Sequence, residues 1–277
     1  MLSNLNLNNN ASGATQTTTI SSKGHIFKIH DNKFSVILES VLVGHEDWVH
    51  SAKWQPALDK DGSPDQPLCL LSCSMDKTMM IWRPTKKDAE ETGMWVNEVH
   101  VGELGGNILG FFGSVFSPDG TQILSHGFNG AFHIWKNVSQ NQDQEVWAPQ
   151  VTVSGHFGPV SDMMWDPTFS YLVSVSEDQT TRAFALWNKG TAQDTWHEIS
   201  RVQIHGYDLN CMAFIRNHSH RIASGADEKV IRIFDAPQTF IDSLCSIARI
   251  PIERIQPDNT ARPLGANVPP LGLSNKP

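Results

Sequence analysis

Residues 155–184 read GHFGPVSDMMWDPTFSYLVSVSEDQTTRAF, and the fold is decided in this stretch. It opens on Gly155-His156, runs through Val160 and Trp165, breaks at Asp166-Pro167-Thr168 and resumes as YLVSVS. There Tyr171, Val173 and Val175 alternate onto one face, the pattern of a strand rich in β-branched and aromatic residues. Glu177-Asp178 closes that strand, TTRAFAL starts another, and a fourth is expected around WHEISRVQI. Four short antiparallel strands joined by tight turns leave no room for a helix of ordinary length.

The same spacing recurs. A serine is followed four residues later by Asp, Asn or Glu, and six residues after that by Trp or Phe. The sets are Ser72/Asp76/Trp82, Ser125/Asn129/Trp135, Ser174/Asp178/Phe184 and Ser224/Glu228/Phe234. Upstream, a His precedes an aliphatic residue at +4 and an aromatic at +9: His45/Val49/Trp54, His156/Val160/Trp165 and His205/Leu209/Phe214. In the second unit these offsets land on Asn107, Phe111 and Phe116. The unit length, about 50 residues, is near that of a four-stranded propeller blade. In the first unit DKDGSPDQ at 59–66 is an insertion that reads as an exposed loop, and Ser117-Pro118-Asp119-Gly120 is hairpin chemistry. One such sheet cannot bury both faces, whereas radial stacking of sheets does.

These residues carry a resemblance. Gly44-His45, Gly155-His156, the S-x-S-x-D turns and the closures Ile81-Trp82 and Ile134-Trp135 are similar to WD repeats. The resemblance implies an all-β fold, a WD-repeat β-propeller with four four-stranded antiparallel blades of an incomplete seven-bladed ring. It also implies a hydrogen-bonded structural tetrad in each blade. Only the first unit keeps a full set, His45, Ser72 (or Ser74), Asp76 and Trp82. The others, Asn107/Ser125/Asn129/Trp135, His156/Ser174/Asp178/Phe184 and His205/Ser224/Glu228/Phe234, are expected to be incomplete, because Phe cannot donate, Asn107 replaces His, and Glu228 is a methylene longer than Asp. The double-glycine strand signature of kelch repeats is absent.

The expected organisation is an Asn/Ser/Thr-rich disordered segment at 1–24 and WD-repeat blades over 25–249. The four units are placed at about 34–85, 95–137, 147–188 and 195–237, and a Pro-rich connector at 250–277. With 21 basic and 29 acidic residues the net charge is −8, a poor match to a nucleic-acid backbone. Four Cys are too few for a disulfide scaffold, so Cys69 and Cys73, on one face of a strand, read as buried thiols. No 18-residue apolar run is present, so no ordinary membrane span is expected.

Chemistry-bearing motifs are scarce. HEDWVH at 45–50 places its second His at +5, off the zinc-protease spacing, and leads into a strand instead of a helix. GELGGNILGFFG at 102–113 matches no phosphate-binding loop. His218 and His220 read as a solvated loop, and no G-x-S-x-G elbow exists. A Ser, His and acidic residue repeated in every unit is a scaffold device, since an enzyme needs one such set. The expectation is a non-enzyme with no catalytic residue, cofactor, metal or small-molecule substrate. Two other readings stay open, an enzyme with its site in a central funnel and a direct RNA-binding propeller. The first lacks converging titratable residues. The second lacks basic residues interleaved with aromatics, Lys86-Lys87 being the only adjacent basic pair.

A finer likeness lies in GHEDWV (44–49), SMDKTMMIW (74–82), SGHFGPV (154–160), DQTTRAFALW (178–187), TWHEISRVQIHGYDL (195–209), SGADEKVIRIFDAP (224–237) and LGLSNK (271–276). Together they resemble the Elongator second-subunit family. The resemblance implies a two-propeller scaffold with other Elongator subunits as partners, contact with transfer RNA only through the complex, and a role in wobble-uridine modification. It also implies a cytoplasmic location with a nuclear fraction. The wider alternative is a generic WD-repeat interaction platform. With four units of a seven-bladed ring, the chain is expected to be a fragment, a truncated gene product or a short isoform, and to be poorly soluble or oligomeric alone.

Overall fold

The structure is a computed structural model that describes residues 24–60, 63–85, 93–102, 110–139, 145–190, 195–202, 205–215, 220–256 and 261–265. The expected disordered segment therefore lies, apart from residue 24, outside the described residues, as do Asn107, His218 and the pair Lys86-Lys87. The chain divides into two compact units, Met1–Leu42 and Val43–Pro277.

In the first unit β1 (His25–Ile29) and β2 (Asn32–Val36) form an antiparallel hairpin. His30 takes φ 53° at its turn, and Phe27 stacks on Phe34 at 5.6 Å.

The second unit is built of antiparallel sheets whose strands follow the chain outward. β3 (Val49–Trp54) is followed by a small hairpin, β4 (Leu58–Lys60) and β5 (Ser63–Asp65). The insertion expected to be a loop thus folds on itself as a separate two-stranded ladder. The chain then returns as β6 (Leu70–Ser74), β7 (Met79–Pro84) and β8 (Trp95–Val101), giving the sheet β3-β6-β7-β8. The second sheet holds β9 (Phe111–Phe116), β10 (Gln122–Gly127), β11 (Phe132–Asn137) and β12 (Trp147–Gln150). The third holds β13 (Val160–Trp165), β14 (Tyr171–Ser176), β15 (Thr181–Trp187) and β16 (Thr195–Val202). The fourth holds β17 (Leu209–Phe214), β18 (Arg221–Ala226) and β19 (Ile231–Asp235), three strands among the described residues. This is the all-β architecture of a partial propeller, with the innermost strands β3, β9, β13 and β17 as successive neighbours.

Apolar side chains fill the spaces between sheets. Leu71, Met79 and Ile81 of the first sheet meet Phe111, Phe116, Ile123 and Trp135 of the second. Val115 and Phe132 meet Val160, Met163, Leu172 and Phe184 of the third, with Phe132 and Phe184 edge to face at 5.2 Å. Polar links cross the seams too: Trp165 Nε1–H donates to Phe116 O at 2.8 Å between the third and second sheets, and the Met212 N–H donates to Asp162 Oδ2 at 3.1 Å between the fourth and third.

Each innermost strand carries a bulge at the same place. The register slips past His50, Phe112, Ser161 and Asn210, one residue after Val49, Phe111, Val160 and Leu209 of the His ruler. A bulge adds local twist. In β3, β13 and β17 it lies at the end where the histidine loop enters the strand.

After β19 the chain forms α1 (Gln238–Ala248) and α2 (Ile252–Ile255), which the sequence reasoning did not anticipate. Ile241, Leu244 and Ala248 lie on one stripe of α1 and are buried with Tyr171, Val173, Ala183 and Ala185 of the third sheet. Spacings of three and four residues place them on one helix face. Arg249 ends the helix in the left-handed conformation at φ 54°. From the segment expected to be a connector, Pro263 O and Leu264 O accept the Gln238 and Thr239 N–H groups at the start of α1.

Candidate functional site: the repeated histidine networks

The loops before β3, β13 and β17 each place a His against the hairpin turn of the two strands behind. In the first sheet, His45 Nδ1 lies 2.8 Å from Asp76 Oδ2 and His45 Nε2 lies 2.7 Å from Ser72 Oγ. Trp82 Nε1–H donates to the same Ser72 Oγ at 2.8 Å. The chain of bonds has a consistent polarity. The indole donates to the serine oxygen, the serine hydroxyl donates to Nε2, and Nδ1–H donates to the carboxylate. Ser72 holds this place, while Ser74 Oγ donates to Asp47 O at 3.1 Å and accepts the Asp76 N–H.

In the third sheet, His156 Nδ1 meets Asp178 Oδ2 at 2.9 Å and Nε2 meets Ser174 Oγ at 2.8 Å, with the His156 and Asp178 side chains fully buried. Phe184 takes the position of the tryptophan and packs without donating. In the fourth sheet, His205 Nδ1 is paired with Glu228 Oε1 and Nε2 with Ser224 Oγ at 2.8 Å, while Phe234 packs against the core. Arg232 Nε–H donates to Glu228 Oε1 at 2.7 Å. In the second sheet, Ser125 is buried, Asn129 is exposed and its Oδ1 accepts the Ala131 N–H at 3.1 Å, and Trp135 is buried in the core.

Two threonines complete the networks and were missed in the sequence. Thr78 Oγ1–H donates to Asp76 Oδ1 and Thr180 Oγ1–H to Asp178 Oδ1, each at 2.6 Å. The recurring Asp-x-Thr at 76–78 and 178–180 was the available signal. Arg182 was missed as well. It is buried, with Nη2 3.6 Å from Asp178 Oδ2, Nη1 2.7 Å from Glu198 Oε2, and Nε–H donating to Thr180 Oγ1.

The electrostatics follow. Burial raises the Asp76 and Asp178 carboxyls, but the Thr78 or Thr180 hydroxyl, the histidine ring and main-chain N–H groups outweigh it and hold both below the ordinary range. Glu228, gripped first by Arg232 and then by His205, is lowered to about 2. Burial lowers His156 against the pull of Asp178. In all three networks both ring nitrogens of the histidine are bonded. No ring nitrogen of His45, His156 or His205 is left for a substrate.

Trp82→Phe tests the first network, since Phe already stands at 184 and 234. Loss of the N–H···Oγ bond is expected to cost about 1 kcal/mol, measured as a lower urea midpoint at unchanged slope. An unchanged midpoint would mean that the bond contributes nothing.

The remaining candidates lie elsewhere. The His50 ring stacks on Phe112 at 4.7 Å and 16°, while His45 is committed to its own network. His220, expected in a solvated loop, is buried. Its Nε2–H donates to Ile255 O at 2.8 Å, and its Nδ1 lies 2.9 Å from Tyr171 Oη. Both partners lie more than thirty residues away in the chain, which is why local composition misled. Cys69 and Cys73 are free and buried, and burial pushes the Cys73 thiol up to about 12. The glycine-rich stretch falls mostly in 103–109, outside the described residues.

The sheets, the bulged inner strands and the histidine networks define a class. The chain carries WD repeats in a partial β-propeller, and the family described as "WD domain, G-beta repeat" matches residues 37–83, 147–184 and 196–235. Within that class it is similar to Elongator complex protein 2: 47% identical over 274 residues in Dictyostelium discoideum, covering 94% of this chain and 29% of the relative. It is 49% identical over 245 residues in Homo sapiens (88% and 29%) and 47% over 268 in Arabidopsis thaliana (92% and 31%). The chain thus spans about a third of the length of these curated relatives.

Proposed function

We propose that this chain is part of a non-catalytic scaffold subunit of the Elongator complex, supporting wobble-uridine modification of transfer RNA without touching the reacting base. The observation that carries the reading is the 46–49% identity to Elongator complex protein 2 from several organisms across about nine-tenths of this chain. Physical chemistry supports the non-catalytic part. The Ser, His and acidic residues that could form a catalytic set satisfy one another inside the first, third and fourth sheets.

Partner contact is assigned to the rim of the histidine loops. Trp48, Phe157 and Tyr207 follow His45, His156 and His205 by one to three residues, and all three are exposed. Aromatic side chains at such positions are the usual anchors of protein interfaces. The location that goes with this role is cytoplasmic, with a nuclear fraction.

Affinity capture of the tagged full-length product, with identification of what co-purifies, tests the proposal. Other Elongator subunits are expected, and fewer of them with Trp48→Ala/Phe157→Ala. Recovery of no Elongator subunit would overturn the assignment.

A further inference from the structure

Asn129 is the only asparagine of the sequence that a glycine follows. It lies exposed in the β10–β11 turn, at the place where the first, third and fourth sheets carry Asp76, Asp178 and Glu228. Its Oδ1 accepts the Ala131 N–H at 3.1 Å. Negative charge would develop on that oxygen if a nucleophile added to Cγ, so a stabilising donor is already in place. The neighbouring nucleophile is Gly130 N, on a residue with no side chain to crowd a five-membered ring. Its N–H donates to Gly127 O at 3.1 Å, and a local opening of the turn frees it. Turns open locally at small free-energy cost. Asn137 and Asn188 form the same side-chain bond, to the Ser139 and Gly190 N–H groups at 3.0 and 2.9 Å. They are half-buried, and Val138 and Lys189 follow them.

We propose that Asn129 of the folded chain is a site of spontaneous deamidation, which gives this turn the carboxylate that the other three turns carry. Gly130 N loses its proton to hydroxide and attacks Asn129 Cγ. The Cγ–N bond forms, the Cγ–Nδ2 bond breaks, and Nδ2 leaves as ammonia after taking a proton from water. Water then opens the succinimide ring. Breaking the new Cγ–N bond leaves an ordinary aspartate at this position. Breaking the bond from the main-chain carbonyl carbon to Gly130 N leaves an isoaspartate, which lengthens the main chain by one carbon. In sum an amide and water become a carboxylate and ammonium, with no change of oxidation state. The turn is packed on the third sheet's histidine loop, since a Cβ on Gly130 would run into Gly158 O and His156. The ordinary aspartate keeps the length of this turn, whereas the isoaspartate presses on the seam. The new charge sits beside the exposed Phe128, at the rim of the histidine loops. This modification is independent of the Elongator reading.

Peptide mass mapping of the purified chain, kept folded at mildly alkaline pH, is expected to show Asn129 gaining the mass of an amide turned to acid. The conversion should quicken as hydroxide rises, and isoelectric focusing should show a band shifted by a single negative charge. In the same digest Asn137 and Asn188 should keep their amides. Asn129→Gln, which would have to close a six-membered ring, should hold the original band with unchanged circular dichroism. An Asn129 that converts only after unfolding in urea would overturn the proposal, by showing that the Gly127 bond withholds the nucleophile. Conversion at Asn137 or Asn188 as fast as at Asn129 would overturn it too. Should the glutamine variant fail to fold, the mass map of the wild-type chain decides alone.

Discussion

Asp178→Ala is expected to lower the free energy of unfolding by about 3–5 kcal/mol, the usual loss when one partner of a buried ion pair is removed. The carboxylate receives His156 at 2.9 Å and Thr180 at 2.6 Å, and it lies 3.6 Å from Arg182. Removing it leaves the buried imidazole N–H with only the Thr180 hydroxyl, 3.4 Å away, and takes one of two carboxylates from Arg182. Glu228→Ala should cost much less, because Glu228 is closer to solvent and water can replace it for Arg232. Urea denaturation of the two variants measures the contrast. A loss below about 1 kcal/mol for Asp178→Ala would show that the network is decorative.

Acid is expected to destabilise the chain from about pH 6.5 downward, before the carboxylates titrate. His126 is buried, and burial, followed by the nearby His156, lowers it to about 3. Its ring packs on the backbone at Gly113, where an added Cβ would come 2.3 Å from Nε2. Between about 6.5 and 3 the unfolded chain takes up a proton that the folded chain refuses. Stability therefore falls with falling pH, by about 1.4 kcal/mol per unit. Above 6.5 both states are neutral and the contribution vanishes. His156, also lowered, acts with the same sign. Asp76 and Asp178 add their own loss only below the carboxylate range. His126→Gln should flatten the slope between pH 6.5 and 4 whatever it does to absolute stability. An equal slope in wild type and variant would place the titrating group elsewhere.

Strand positions were legible in this sequence because alternation and turn chemistry are local. Tyr171–Ser176 and the Ser117–Gly120 turn can be read from a few neighbours each. The His–Ser–acid sets were legible because they repeat, so four weak matches reinforced one another. Features that occur once were not. Helix α1 lacks a side-chain cap and an acidic first turn, and its buried Ile241, Leu244 and Ala248 sit in a short segment that begins after Pro237. Arg182 looks like a surface residue on a strand, and its burial depends on Glu198, which only the folded sheet brings close. His126 and His220 are buried by contacts that no local pattern announces. The Asp-x-Thr repeat was visible and went unread.

The small ladder between β3 and β6 carries a practical implication. Lengthening a surface segment costs only about 0.6 kcal/mol per doubling, and this one pairs with itself, β4 on β5, while β3 still zips to β6 from Val49 to Trp54. The β4–β5 ladder is thus a natural port for a fluorophore or an epitope. Such a graft would sit on chain that the neighbouring blade ladder does not depend on.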